Sequence, residues 1–216
     1  MKVTEAVQHR ATIRGFLQDP VSDETIQRLL EVSARAPSGG NVQPWRIYVI
    51  NGQSMERFRT FMKDQSTSES EYPVYPEGLH EPYRTNRYAL GEAMYEKMGV
   101  GREDKAARYA HLARNFDFFD APAAFFCFVD RKMGSAQWSD LGMFLQTFML
   151  LAVEAGLDTC PQEAWANHWK AVQNFVQAPD NEMLFCGMAI GKRDETKKVN
   201  TLRSERMPFG DWGKFV

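Results

Sequence analysis

The chain has 216 residues, of which 44% are hydrophobic, 25% charged and 12% aromatic. That mix suits a globular chain long enough to bury a sizeable core, and the aromatic content excludes disorder. Its 26 basic and 28 acidic residues leave a formal net charge of −2, which argues against a basic nucleic-acid binder.

The apolar stretch at residues 144–153 is broken by Gln146 and Thr147. It falls well short of the ~20 residues a membrane span needs. Residues 1–5 show no apolar signal segment. Cys127, Cys160 and Cys186 are widely spaced and form no CxxC pair. They read as small core residues of a protein in a reducing cytoplasm.

In chain order, Ser22 predicts a helix N-cap, with Asp23 and Glu24 suited to the first turn. Ile26, Leu29, Leu30 and Ser33 follow on one helical face. Residues 37–41, Pro-Ser-Gly-Gly-Asn, stop that helix. Residues 45–50 predict a strand ended by Asn51-Gly52, and 54–62 a helix. Residues 64–82 hold Pro73, Pro76 and Pro82 and read as a loop. Residues 83–115 read as helix interrupted near Gly99 and Gly101. Residues 121–129 form a nearly continuous apolar run behind Pro122, a buried strand. Residues 138–155 predict a long helix, apolar nearly all round and therefore suited to a core or a subunit interface, ended by Gly156. Residues 165–176 predict a helix closed by Pro179, and 182–190 a final strand. Strands separated by helices favour an α/β or α+β sheet protein, and the long excursion between the first two strands argues against a regular doubly wound fold.

Several chemistries lack their motifs. There is no GxGxxG after a strand, no GxxxxGK[ST], no HExxH and no GxSxG. His9, His80, His111 and His168 are scattered without metal-like spacing. Without a nucleophile constellation or a metal cluster, demanding chemistry points to a cofactor. Three segments suit an anionic one. Arg10, Thr12 and Arg14 alternate, so an extended backbone points them to one side, where two guanidinium forks match phosphate oxygens. The small-residue loop at 37–45 permits close backbone approach to a ligand. Residues 192–206 carry six basic and three acidic side chains. Taken singly, each also reads as a solvated edge, an ordinary turn or a charge run.

Together these segments resemble the FMN-dependent nitroreductase family. Arg10-Ala11-Thr12-Ile13-Arg14-Gly15-Phe16 is similar to its N-terminal arginine motif, with Thr in the usual Ser place. Ala36-Pro37-Ser38-Gly39-Gly40-Asn41-Val42-Gln43-Pro44-Trp45 is similar to its most specific motif. Pro161, Gln162 and Glu163 fall in the segment that lies beside the flavin ring. Arg203-Ser204-Glu205-Arg206-Met207-Pro208 is similar to the C-terminal basic motif that closes on the phosphate. Ala164 departs from a glycine that many members carry, and residues 66–100 form a variable excursion towards the substrate side.

The resemblance implies an α+β fold, with a mainly antiparallel central sheet flanked by helices, in one domain spanning residues 1–216. It implies an intertwined homodimer with two FMN sites at the interface, no nucleic-acid or membrane partner, and a small-molecule electron acceptor. NADH or NADPH would deliver two electrons to FMN, which would pass them to a nitroaromatic by a ping-pong mechanism. Alternatives are quinone, enone or haloaromatic acceptors, or a non-catalytic FMN-binding protein. Arg10, Arg14 and Arg206 are expected at the phosphate, and Arg203 belongs to the same basic motif. Ala11, Pro37 and Gly39 line the cofactor motifs, while Thr12, Ser38 and Asn41 are expected to hydrogen-bond the ribityl chain or ring edge. The 37–41 loop would come from the other subunit, and the backbone near Glu163 would face N5. No catalytic side chain and no metal ligand is implied.

Overall fold

A computed structural model describes residues 1–216. Helix α1 (Val3–His9) and α2 (Asp23–Ser33) precede strand β1 (Arg46–Asn51). Helices α3 (Gln53–Met62), α4 (Tyr83–Met98) and α5 (Lys105–Ala113) lead to β2 (Ala123–Asp130). Helix α6 (Ser135–Glu154), β3 (Asp158–Gln162), α7 (Trp169–Val176), β4 (Glu182–Gly191) and the short α8 (Phe209–Trp212) complete the order. The sheet runs β1-β2-β4-β3, with every neighbouring pair antiparallel. This is the α+β arrangement, with an antiparallel central sheet flanked by helices, that the resemblance implies.

Strand β2 explains the two-layered core. Ala124, Phe126 and Phe128 point to one face, with Phe58 of α3, Val172 of α7, Phe118 and Trp165. Ala123, Phe125, Cys127 and Val129 point to the other, with Ile26 and Leu29 of α2 and Leu141, Phe144 and Phe148 of α6. Side chains alternate across a strand, so covering both faces requires an uninterrupted apolar run. The strand begins at Ala123 rather than 121, because Ala121 N–H turns back to Phe118 O at 3.0 Å and Pro122 has no N–H to give.

The end signals act as their chemistry predicts. Ser22 Oγ accepts Thr25 N–H at 3.2 Å and opens α2. Gly156, at φ 74°, turns the chain out of α6. Two expectations need correction. Residues 163–168 form a 3₁₀ run, Glu163–His168, and only Trp169–Val176 is α-helix, ended by Gln177 at φ 56° two residues before Pro179. Residues 158–162 form β3, which sequence patterning leaves unread. No helix is long and apolar enough to cross a membrane.

Candidate functional site

The segment carrying Arg10, Ala11, Thr12 and Arg14 runs along the free side of β3. Ile13 N–H donates to Thr159 O at 3.0 Å, Thr12 bridges Thr159 in parallel, and Phe16 bridges Arg193 antiparallel. Ile13 and Phe16 are buried in the core, while Arg10, Thr12 and Arg14 stay half-open to solvent. Asn200 fixes this register. Its Oδ1 accepts Arg14 N–H at 2.8 Å, and its Nδ2 donates to Gly15 O at 2.8 Å and Asp194 O at 3.0 Å. Gly15 permits the approach, since a β-carbon there would stand 2.7 Å from Lys197 Cγ. Beside Thr159, Asp158 accepts from Arg193 Nε at 2.8 Å and Nη2 at 2.5 Å, joining the start of β3 to the end of β4.

The arginines converge from opposite ends of the chain. Burial, then Arg206 and Arg203, lowers the pKa of Arg10, so the two basic segments face each other. Arg10, Arg14, Arg203 and Arg206 form no ion pair with any carboxylate, although nine other basic residues do. Arg206 Nη1 turns back to Ser204 Oγ at 2.6 Å and Glu205 O at 2.9 Å. Like charges gathered without counter-charge repel, and a multivalent anion between them removes that cost. His111 registers the same field: burial, then Arg14 and Arg114, pushes its pKa down to about 4. Both of its ring nitrogens are buried without a partner.

At the other end of β3, Pro161, Gln162 and Glu163 form a platform. Gln162 is buried, and its Nε2 donates to Asn115 O at 2.8 Å while Oε1 has no partner. The Glu163 carboxyl is unpaired at the surface, and desolvation on its protein side raises its pKa. Fully buried Trp165 supports the turn from below, packed among Phe58, Phe116, Phe118 and Phe126. Gly187 gives it room, because a β-carbon there would stand 2.3 Å from Trp165 Cδ1. Tyr72, Trp138 and Phe185 make an aromatic wall, with the Tyr72 hydroxyl donating to Phe185 O. The three thiols are not nucleophiles: burial raises Cys127 and pushes Cys160 and Cys186 up to about 12.

The loop with Pro37, Ser38, Gly39 and Asn41 lies elsewhere on the protomer. Gly39 N–H sits 3.3 Å from both oxygens of buried Asp140, and Gln43 N–H donates to Ser38 Oγ at 3.0 Å. Asn41 at φ 57° and Gln43 at φ 51° hold strained left-handed backbone. Asp140 lies fourteen residues before Glu154 on α6, about 21 Å along the helix from the turn into β3. The loop forms no hydrogen bond to residues 10–14 or 203–206. One protomer therefore gathers the arginine segments and presents loop 37–41 outward, with Pro37, Gly39 and Asn41 exposed.

The excursion after α3 touches both ends of the site. Ser68 N–H and Glu71 N–H donate to Asn167 O and Ala166 O at 2.8 and 2.9 Å, just past Glu163. Helix α4 packs on the 3₁₀ turn Lys198–Thr201, and Asn86 Nδ2 reaches Met207 Sδ at 3.0 Å, beside Arg206. Nothing in the sequence singles out Asn200, Asp140 or the Tyr72 wall, since a lone polar or aromatic residue carries no periodic signal. The Asp158–Arg193 pair is hidden by a separation of 35 positions.

A model of the family described as "Nitroreductase family" matches residues 7–192. The chain is 34% identical over 219 residues to a chloronitrobenzene nitroreductase of Comamonas testosteroni, covering 99% of this chain and 96% of that one. It is 34% identical over 202 residues to a 4-nitrobenzoate reductase of Pseudomonas putida, covering 93% and 89%. In structure it is similar to the FMN and NADPH-dependent nitroreductase NfnB from sphigopyxis sp. strain HMH, with a TM-score of 0.95, 37% identity and coverage of 100% and 99%.

Proposed function

The chain belongs to the nitroreductase family, and we propose that it carries two electrons from NAD(P)H through FMN to a nitroaromatic acceptor by a ping-pong mechanism. The observation that carries this reading is the approach of Arg10 to Arg203 and Arg206 with no ion pair from any of the three to a carboxylate. That cluster fits the phosphate of FMN. The orphaned Gln162 Oε1 fits a ring N–H, and the outward loop 37–41 offers Ser38 and Asn41 for further hydrogen bonds. When bound, FMN supplies the hydride and electron chemistry that no side chain here can perform.

The chain's own residues bind and orient. Arg10, Arg14, Arg203 and Arg206 neutralise the phosphate, and Thr12 offers a hydroxyl between the first two. Residues Pro161, Gln162 and Glu163 form the ring platform, held from behind by Trp165. The wall of Tyr72, Trp138 and Phe185 keeps water from one side of that platform. Solvent supplies protons, so no side chain acts as acid or base.

The active unit in this reading is a homodimer of a single domain, residues 1–216, with residues 66–100 as its variable cover. The exposed loop 37–41, lying far along α6 from the arginines, then completes the partner's site. Exposed Met143 on α6, and Trp212 and Phe215 at 67% and 95% exposure, leave apolar surface for a partner chain. Sedimentation of the flavin-loaded protein at micromolar concentration should give a dimer, and a loaded monomer would contradict this. Anaerobic NADPH should bleach the bound flavin with release of NADP⁺, and nitrobenzene added afterwards should restore the colour. A bound flavin that NADH and NADPH leave oxidised would sink the enzymatic reading.

A further inference from the structure

The excursion of residues 66–98 is a strap with limbs rooted at opposite ends of the site. Its first limb is hydrogen-bonded to Ala166 and Asn167 beside the platform, and its second, α4, rests on residues 198–201 and Met207 beside the arginine cluster. The limbs meet where the Arg87 guanidinium carbon lies 3.8 Å from the ring centre of Tyr75.

Three other arginines in and beside the strap are held by carboxylates. Arg84 pairs with Glu81 at 2.9 Å, and Arg102 and Arg108 share Glu92 at 2.8 Å each. Arg87 pairs with no carboxylate and donates no hydrogen bond within the chain. Its planar fork is oriented by the Tyr75 ring while its N–H edge stays free, an arrangement that matches an oxyanion. An aromatic platform beneath a cation also offers a surface for a second flat molecule.

We propose that Arg87, seated over Tyr75, determines specificity by recognising a terminal oxyanion on the molecule that enters beneath the strap. The oxyanion is either a ring carboxylate on the aromatic acceptor or the 2′-phosphate of the reduced dinucleotide. This rests on the flavin reading above, since only that reading puts substrates between the two limbs.

The test compares wild type, Arg87→Ala and Tyr75→Ala in two arms. One arm sets 4-nitrobenzoate against nitrobenzene with NADH as reductant, and the other sets NADPH against NADH with nitrobenzene as acceptor. Arg87→Ala should lower kcat/KM for the anionic member of one arm by ~10-fold more than for its neutral or less charged partner, chiefly through KM. The arm that responds identifies the source of the oxyanion. Tyr75→Ala should lose part of the same discrimination, and added salt should narrow it in wild type. Ratios within about twofold of wild type in both arms, or equal losses for both members of each pair, would overturn the role of Arg87. Wild-type protein that holds no flavin would instead overturn the underlying reading, and this inference with it.

Discussion

Asp158→Ala should be among the most damaging single changes outside the aromatic core. Asp158 accepts from Arg193 at Nε, Nη2 and the backbone N–H, at 2.8, 2.5 and 3.2 Å. The two side chains are only 10% and 12% exposed. Removing the carboxylate leaves a guanidinium buried without its partner, which costs about 3–5 kcal/mol in comparable pairs. Glu195, at 4.0 Å from Arg193 Nε and largely exposed, offers partial relief, so the lower end, about 3 kcal/mol, is expected. At a urea slope near 3 kcal/mol/M, that shifts the unfolding midpoint by about 1 M. Protein and flavin concentrations must be matched between variants, because both shift the apparent stability. The double variant Asp158→Leu with Arg193→Met buries no charge and should recover most of the loss. A single variant within about 1 kcal/mol of wild type, or a double variant no better than the single, would refute the assignment of the loss to a stranded charge.

Gly187→Ala should overpack Trp165, for which the nearest ring atom would lie 2.3 Å away. A cost of about 1–3 kcal/mol converts to a melting point roughly 3–10 °C lower by calorimetry; unchanged melting would show that the indole moves freely. His111→Phe should flatten the stability profile between pH 6.5 and about 4. Above pH 6.5 the imidazole is neutral in both states, and as pH falls towards 4 the unfolded chain takes up a proton that the folded one refuses, so stability is lost on acidification. The loss is on the order of 3 kcal/mol, read as the difference between wild-type and variant urea midpoints across that range, and parallel profiles would contradict it.

The elements with strong periodic or capping signals were legible: α2 behind Ser22, the doubly buried β2, and α6 ended by Gly156. Strand β3 was not, because it is a five-residue edge strand containing Pro161 and shows no alternation. Its membership comes from pairing with β4 on one side and with Thr12 on the other. The alternation of Arg10, Thr12 and Arg14 was legible as a one-sided cationic edge. Its meeting with Arg203 and Arg206, almost two hundred positions away, depends on the Asn200 latch, which no local pattern announces. Only the family resemblance linked the two segments. The separation of loop 37–41 from the arginines likewise follows from the length of α6 and from the buried Asp140, both tertiary facts.

The central claim is that the two arginine segments hold the phosphate of FMN, and riboflavin, which lacks that phosphate, tests it most directly. Apoprotein should be titrated with FMN and with riboflavin by flavin fluorescence, for wild type, Arg10→Ala, Arg206→Ala and, as a surface control, Arg57→Ala. Each charge-assisted contact contributes roughly 1.5–3 kcal/mol. Wild type should therefore prefer FMN strongly, and each arginine variant should lose about 10- to 150-fold of that preference. Riboflavin affinity should barely change, and Arg57→Ala should match wild type. If Arg10→Ala and Arg206→Ala keep the wild-type preference for FMN over riboflavin, the phosphate lies elsewhere and the account of the site is wrong.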